Sequence, residues 1–368
     1  MKNLKDILKK EKKKLFDYQS GNIRPIKTTR PYLQEPWEGI LPKSCIVIGG
    51  HSSAGKSYEL DVLMGELLDT DLNPEANDYV WLNFSLEMPL FSLMVRYLSK
   101  VLQIPKEQVI MNKFTEEQNI KAKEALEVWQ DGRYFLQDEP TSPSDYFNIV
   151  NDFCEQNIDK KAIFISIDHV VLLDGDGNTT ASVNSVLRFT NTLKLKFENV
   201  YFIYLSQLSS NFFARLDERN NQSAPKDTDT FYSAQLNQIA DYTVIIVNPF
   251  QLGINEWLRF SSDRYPHLSK YYSEEDKNGK VSFNTEGLLF YHVVKNREAN
   301  RGYTNLFVHE LYPRVEKIST PQSKVDYVSK KAKEEWQTLL APQKVESPMD
   351  GMLPNTGISL DDFDMPPF

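Results

Sequence analysis

The sequence predicts an α/β fold built on a mostly parallel central sheet, and three observations carry that prediction. From Lys43 onward, apolar β-rich runs alternate with helical stretches, the pattern of strands joined by right-handed crossovers. Most of these runs are apolar enough to be buried on both faces, as the strands of a parallel sheet are. The first run breaks into a glycine-bounded loop that leads directly into a helical pattern.

In chain order the strands are expected at Cys45 to Gly49, Tyr79 to Phe84, Tyr134 to Gln137, Ala162 to Ile167, Val200 to Leu205, Thr243 to Val247, Leu288 to Val294 and Tyr303 to Val308. Helices at 56–69, 89–102, 115–130, 143–157 and 181–197 lie between or beside the first five strands, which read as the parallel set. The last three are expected as a more antiparallel edge. Before the sheet, Leu4, Ile7, Leu8, Leu15 and Phe16 recur at helical spacing among lysines, so residues 1–42 read as a basic amphipathic helix and linker. Residues 43–319 read as the main domain. The stretch from Pro249 to Glu286 is too long for an ordinary turn and reads as a functional or insertional loop. A charged helix is expected within 320–341, and 342–368, rich in Pro, Gly, Ser and Asp, reads as a disordered acidic tail.

A chain of 368 residues with 40% apolar content can bury one large core. No run approaches the apolar length that spans a bilayer, and the N-terminus lacks the apolar centre of a secretory signal, so a cytoplasmic protein of a bacterial or phage-infected cell is expected. Cys45 and Cys154 are the only cysteines, which indicates neither a disulfide framework nor a zinc site. The net charge of −9 is unevenly spread: residues 1–30 hold ten Lys or Arg against three acids, and residues 346–368 hold five acids and no base. That asymmetry is compatible with a nucleic-acid enzyme carrying an interaction tail.

The loop after the first strand has the pattern GxxxxGK[ST] from Gly50 to Ser57, a phosphate-binding P-loop. Gly50 and Gly55 let the backbone of His51, Ser52, Ser53 and Ala54 turn so that successive N–H groups converge on a phosphate. Lys56 then reaches the β and γ phosphates of ATP, and Ser57 ligates Mg²⁺. The helix that begins near Lys56 adds its positive end to the same anion site. Ile163 to Asp168 is an apolar strand ending in an acid, where Asp168 would hold Mg²⁺ through water, although many buried strands end in Asp.

The second strand ends Ser85-Leu86-Glu87-Met88-Pro89, and here the chain resembles the DnaB-like replicative helicases, RecA-fold motors that carry the same SLEMP sequence. The likeness continues with Leu205-Ser206-Gln207-Leu208, with Gln238, Ala240 and Asp241 ahead of the sixth strand, and with Lys295-Asn296-Arg297 at a strand end. It covers roughly residues 38 to 310, and it departs from the family at 229–234, which lacks an arginine. It implies a RecA-like P-loop ATPase core in which Glu87 polarises the attacking water and Gln207 senses the γ-phosphate. Lys295 and Arg297 would reach across a subunit boundary to a neighbour's γ-phosphate. It further implies a homo-oligomer, a hexameric ring on single-stranded and forked DNA, here in a minimal bacteriophage-type form without the helical domain that meets primase.

Candidate DNA-facing loops are Asp174 to Ser182 and Ser209 to Tyr232, the latter with Asn211, Arg215, Arg219 and Lys226 to grip phosphates. Nearby acids dilute that basic signal. The tail resembles the acidic tip of single-stranded-DNA-binding proteins, with Asp361, Asp362, Asp364 and Phe368 placed to dock on primase, polymerase or single-strand-binding protein. The expected function is an ATP-dependent replicative helicase. A RecA-like recombinase and a nucleotide-gated loader without unwinding activity are the alternatives.

Overall fold

The computed structural model describes residues 4–310 apart from 22, 131, 170–172, 174–178, 219–222, 232 and 298–305. The described residues all belong to one compact unit, residues 1–320. In order they form α1 (Leu4–Gln19), α2 (Pro31–Trp37), β1 (Cys45–Gly50), α3 (Lys56–Leu67), β2 (Tyr79–Ser85), α4 (Leu90–Val101), α5 (Lys106–Ile110) and α6 (Glu116–Gln130). There follow β3 (Tyr134–Gln137), α7 (Pro143–Gln156), β4 (Ala162–Asp168), α8 (Thr179–Lys196), β5 (Val200–Gln207), α9 (Ser210–Glu218) and α10 (Ser233–Ile239). The last elements are β6 (Tyr242–Val247), β7 (Glu256–Ser261), β8 (Lys280–Asn284), β9 (Leu288–Asn296) and β10 (Leu306–Glu310). Among the described residues no helix is long and apolar enough to cross a membrane.

Eight strands form one sheet in the order β10-β9-β6-β1-β5-β4-β2-β3. The six strands β1 to β6 run parallel, and β9 and β10 close the far edge antiparallel. Continuous apolar runs are the signature of strands covered on both sides, and β1, β2, β4 and β6 are buried at every residue. On one face α7, α8 and α10 pack Tyr146, Val150, Val186 and Ile239 against Val47, Leu82, Ile165 and Phe202. The opposite face carries α3 and a run of stacked rings, Trp81 to Phe164 at 5.0 Å and Phe164 to Tyr201 at 5.0 Å. The polar groups buried there are paired, since Trp81 Nε1 donates to Ser166 Oγ at 2.7 Å and Ser166 Oγ donates to Asn83 Oδ1 at 2.7 Å.

Three expectations differ from the structure. The strand expected at Thr243 to Val247 does not belong to the antiparallel edge: β6 pairs parallel with β1, and only its other side meets antiparallel β9. The stretch 249–286, read as an irregular loop, contains the hairpin β7–β8, whose Trp257, Phe260 and Phe283 pack with Phe290 of β9 and Phe212 of α9. A lone hairpin is marginal in water, and this one persists by burying its aromatic face on the sheet. The linker, expected to extend to residue 42, is core from Ile26 onward. Ile26 and Ile40 form an antiparallel bridge, and both are buried together with Tyr32 and Leu33.

That segment is bolted to α3 by charge. Glu59 is fully buried and accepts hydrogen bonds from Tyr32 Oη at 2.6 Å and Tyr291 Oη at 2.8 Å, with Arg30 Nε 3.6 Å away. Glu66, one face-repeat further along α3, accepts from Thr28 Oγ1 at 2.6 Å and from Arg30 Nη2 at 3.1 Å. Burial pushes the Glu66 carboxyl up, but Thr28, Thr29 and the Arg30 charge outweigh it and hold the group below its ordinary value. The expected helix near 320–341, the tail with Asp361, Asp362, Asp364 and Phe368, and most of the loop Asp174 to Ser182 lie outside the described residues.

Candidate nucleotide site

Strand register brings the motif residues level with one another. Gly50 at the end of β1 pairs with Gln207 at the end of β5, and Ser85 at the end of β2 pairs with Asp168 at the end of β4. Four strand ends thus meet at the carboxyl edge of the parallel set, where ligands of such sheets bind. There Ser52, Ser53, Lys56, Ser57, Glu87 and Gln207 line an open cleft of about 360 Å³.

The P-loop needs its glycines for separate reasons. A Cβ on Gly50 would stand 2.9 Å from the Ile246 carbonyl oxygen and 3.1 Å from Ala54 Cβ, so close backbone approach excludes a side chain. Gly55 caps α3 at φ +96°, a conformation that L side chains rarely adopt. The α3 N-terminus then opens on the cleft and supplies backbone N–H groups and a positive dipole end to an anion.

Lys56 is buried, and its Nζ donates to the carbonyl oxygens of Gly50 at 3.1 Å and His51 at 3.0 Å. Burial lowers its pKa below the ordinary lysine value, while the carboxylates of Asp168 and Glu87 pull it back up. Ser57 Oγ donates to Asp168 Oδ2 at 2.6 Å. Two oxygen donors side by side suit a cation that fills the rest of its shell with water and phosphate oxygens, which is how Mg²⁺ binds. Among the described residues no group of three or more His, Cys, Asp or Glu gathers as a metal cage.

Glu87 sits exposed in the turn after β2, a turn fixed by Ser85 Oγ donating to the Met88 carbonyl at 2.7 Å and Leu86 N–H donating to the Asp168 carbonyl at 3.2 Å. Gln207 Nε2 approaches His169 Nε2 at 3.5 Å. Burial lowers the His169 pKa against the pull of Asp168 and Glu87.

His51, expected as part of the phosphate loop, turns its ring away from the cleft. Its Nδ1 meets the Ser52 carbonyl at 2.7 Å and its Nε2 accepts the Asn248 N–H at 3.1 Å, so only its backbone is left for a phosphate. Two cleft residues escaped the sequence reading, Arg96 of α4 and Lys106 of α5. Arg96 is held by Asp61 of α3 at 2.9 Å and by Met88 Sδ at 3.0 Å. The available signal was a cation between the buried Val95 and Tyr97 of an apolar helix face.

The sheet does not bring Lys295 and Arg297 to this cleft. Gly50 is level with Ile246, whereas Asn296 is level with Tyr242, so about 13 Å of β6 lies between the two levels at 3.3 Å per residue. Arg297 instead donates to Asp241 Oδ1 at 3.1 Å, at the amino edge of the parallel strands. Asp241 also accepts from Lys194 Nζ at 2.7 Å and from the Cys45 N–H at 2.8 Å. Burial and the Arg297 charge both lower the Lys295 pKa.

Of the DNA candidates, Asn211 is exposed on α9 and Lys226 is exposed in the loop that follows, while Arg219 lies outside the described residues. Arg215 departs from the expected phosphate grip. Its Nη1 and Nη2 donate to the two oxygens of fully buried Asp229 at 2.6 and 2.5 Å, and its Nε donates to Ser223 Oγ at 3.1 Å. Bidentate pairing with a buried carboxylate makes it a brace for the loop 223–229.

Among solved structures, the isolated ATPase domain of one DnaB-like helicase matches with a TM-score of 0.57 at 17% identity, covering 82% of this chain and 93% of that one. A second DnaB-like replicative helicase, solved for its interactions with primase, matches with a TM-score of 0.53 at 18% identity. There the match covers 80% of this chain and 61% of that one, so the chain spans under two thirds of that helicase. Both likenesses show the RecA-like P-loop ATPase fold. No curated protein sequence matches. The DnaB-like helicase C-terminal domain matches residues 26–316, from the buried Ile26 bridge past β10, and the chain belongs to that family.

Proposed function

We propose that this protein is an ATP-dependent DNA helicase that works as a ring, its nucleotide sites completed between subunits. One observation carries the reading: each chain holds a phosphate cleft at one edge of its sheet and the Lys295-Arg297 pair at the other. A motor that closes such a half-site with a neighbour's cations needs both features on separate edges.

In this reading Lys56 and the N–H groups of Gly50 to Ser57 bind the phosphates of ATP, and the α3 dipole favours their charge. Ser57 and Asp168 would hold Mg²⁺, which when bound neutralises charge on the β and γ phosphates. Glu87 accepts a proton from the attacking water, and its place on a pinned turn keeps the carboxylate at the cleft. Gln207 reports γ-phosphate occupancy to the β5 end, beside His169. Arg297 and Lys295 of a neighbouring subunit stabilise the charge that builds on the transferred phosphoryl group. Exposed Asn211 and Lys226 contribute to strand contacts. The C-terminal residues Asp361, Asp362, Asp364 and Phe368 are proposed to dock a replication partner.

The deciding experiment is strand displacement on forked DNA with 5′-tailed and 3′-tailed substrates. ATP-dependent unwinding of one polarity is expected. DNA-stimulated ATP hydrolysis without displacement of either substrate would favour a loader or a recombinase.

A further inference from the structure

A second cleft, larger than the P-loop cleft at about 520 Å³, lies between the loop 223–227, strand β7 with its following turn, and strand β9. It shares no residue with the P-loop cleft. Its lining is built from Lys226, Arg259, Arg264, Tyr265 and His292, with Asp227 among them.

Three observations say what such a lining accepts. Lys226 and Arg264 are exposed at the cleft, and neither has a carboxylate within ion-pair distance among the described residues, whereas Arg259 is paired with Asp276. The Arg264 guanidinium lies 5.3 Å from the centroid of the Tyr265 ring, and that ring packs edge-on to Phe260 at 5.2 Å. A guanidinium on a held aromatic ring combines a phosphate partner with a stacking surface. The third observation is His292, only 6% exposed, whose Nε2 is buried with no hydrogen-bond partner. A native interior leaves few such atoms unpaired, so this one marks a place where a ligand or water completes the structure. Burial pushes the His292 pKa down to about 3, so the ring is neutral near pH 7 and offers a hydrogen bond rather than another positive charge.

We propose that this cleft is a second nucleotide-recognition site, taking one phosphate-and-base unit either of a single-stranded DNA or of a free mononucleotide. Lys226 and Arg264 take the phosphate, Tyr265 stacks the base, and His292 bonds its polar edge. Asp227 disfavours a second phosphate and suits an exocyclic amine or sugar hydroxyl. The volume is that of a small-ligand pocket rather than of a single-ion cradle.

Photocrosslinking of the full-length chain tests this and separates the two sources. One arm uses a thymidine oligonucleotide bearing 5-iododeoxyuridine. The other uses 8-azido-AMP, which lacks the β and γ phosphates that a P-loop grips. Mass spectrometry is expected to find label on the peptide carrying Tyr265 in one arm or both, identifying a strand, a mononucleotide or either as the occupant. Arg264→Ala and Tyr265→Leu should each lower that label about fivefold or more, the scale of one lost stacking partner. Both variants should keep the wild-type melting temperature and the labelling of the P-loop peptide by 8-azido-ATP. The proposal is overturned by wild-type protein that takes no label at that peptide from either probe, by label that persists unchanged in both variants, or by displacement of the probes by poly-glutamate at equal charge concentration.

Discussion

The two edges of the sheet are made of similar residues and do opposite things. At the carboxyl edge, Lys56 is buried, and the hydroxyl of Ser57 and the carboxylate of Asp168 are held against each other under a helix N-terminus. At the amino edge, Arg297 is 41% exposed and rests on Asp241. Buried polar groups are fixed by the fold, whereas an exposed guanidinium is available to something outside it. The contrast teaches that a chain can carry a complete set of phosphoryl-transfer groups and still be unable to assemble them alone, because the direction of β9 decides which edge each group occupies.

The largest effect should come from the amino edge. Arg297→Ala is expected to lower ATP turnover about 10³- to 10⁵-fold, the range for a finger supplied by a neighbour. Mixing Arg297→Ala with Lys56→Ala subunits should restore part of that activity, since some interfaces then pair an intact P-loop with an intact finger. Absence of any recovery in verified mixed assemblies would break the division between edges. At the carboxyl edge, Glu87→Gln should cost about 10²- to 10⁴-fold in turnover with nucleotide affinity nearly kept, the range for a general base. Lys56→Ala should weaken nucleotide binding itself, and equilibrium binding alongside turnover separates the two.

The connection between α3 and β9 can be tested by stability. Glu59→Ala leaves Arg30 without its buried carboxylate and two tyrosine hydroxyls without an acceptor, so a loss of about 3 to 5 kcal/mol is expected in denaturant titration. A change below about 1 kcal/mol would mean that the clamp is solvated like a surface pair.

The smallest predicted effect concerns pH. His292 falls from an ordinary 6.5 to about 3 in the folded chain. The unfolded chain therefore takes up a proton on acidification before the folded one does, and the stability present above about 6.5 is lost as pH falls toward 3. At pH 5 this one group should account for about 2 kcal/mol, so His292→Phe is expected to flatten the stability difference between pH 7 and pH 5 by that amount. An unchanged difference would show that water reaches the ring.

The parallel strands and the cleft residues were legible because they depend on local rules. An apolar run that ends in a glycine loop, or in Asp168, states its own position at a strand end, and register does the rest by setting Gly50 beside Gln207 and Ser85 beside Asp168. What stayed hidden depends on pairs far apart in sequence. Arg30 and Glu66 look like surface charges until α3 and the preceding segment meet, and Arg215 looks like a free cation until Asp229 folds under it. The hairpin β7–β8 was obscured because Trp257 and Phe283 are separated by a polar stretch and each strand is only half covered. Arg96 and Lys106 carry no motif, and only the cleft itself places them beside Glu87.

The resting contact of Arg297 has a kinetic consequence. A half-exposed ion pair of this kind contributes about 0.2 to 1 kcal/mol, close to the thermal energy. Its release leaves Asp241 no orphan, because Lys194 and the Cys45 N–H remain on the same carboxylate. The side chain is berthed rather than locked. It can leave its mooring and return many times in one working cycle without the barrier that a buried contact would impose.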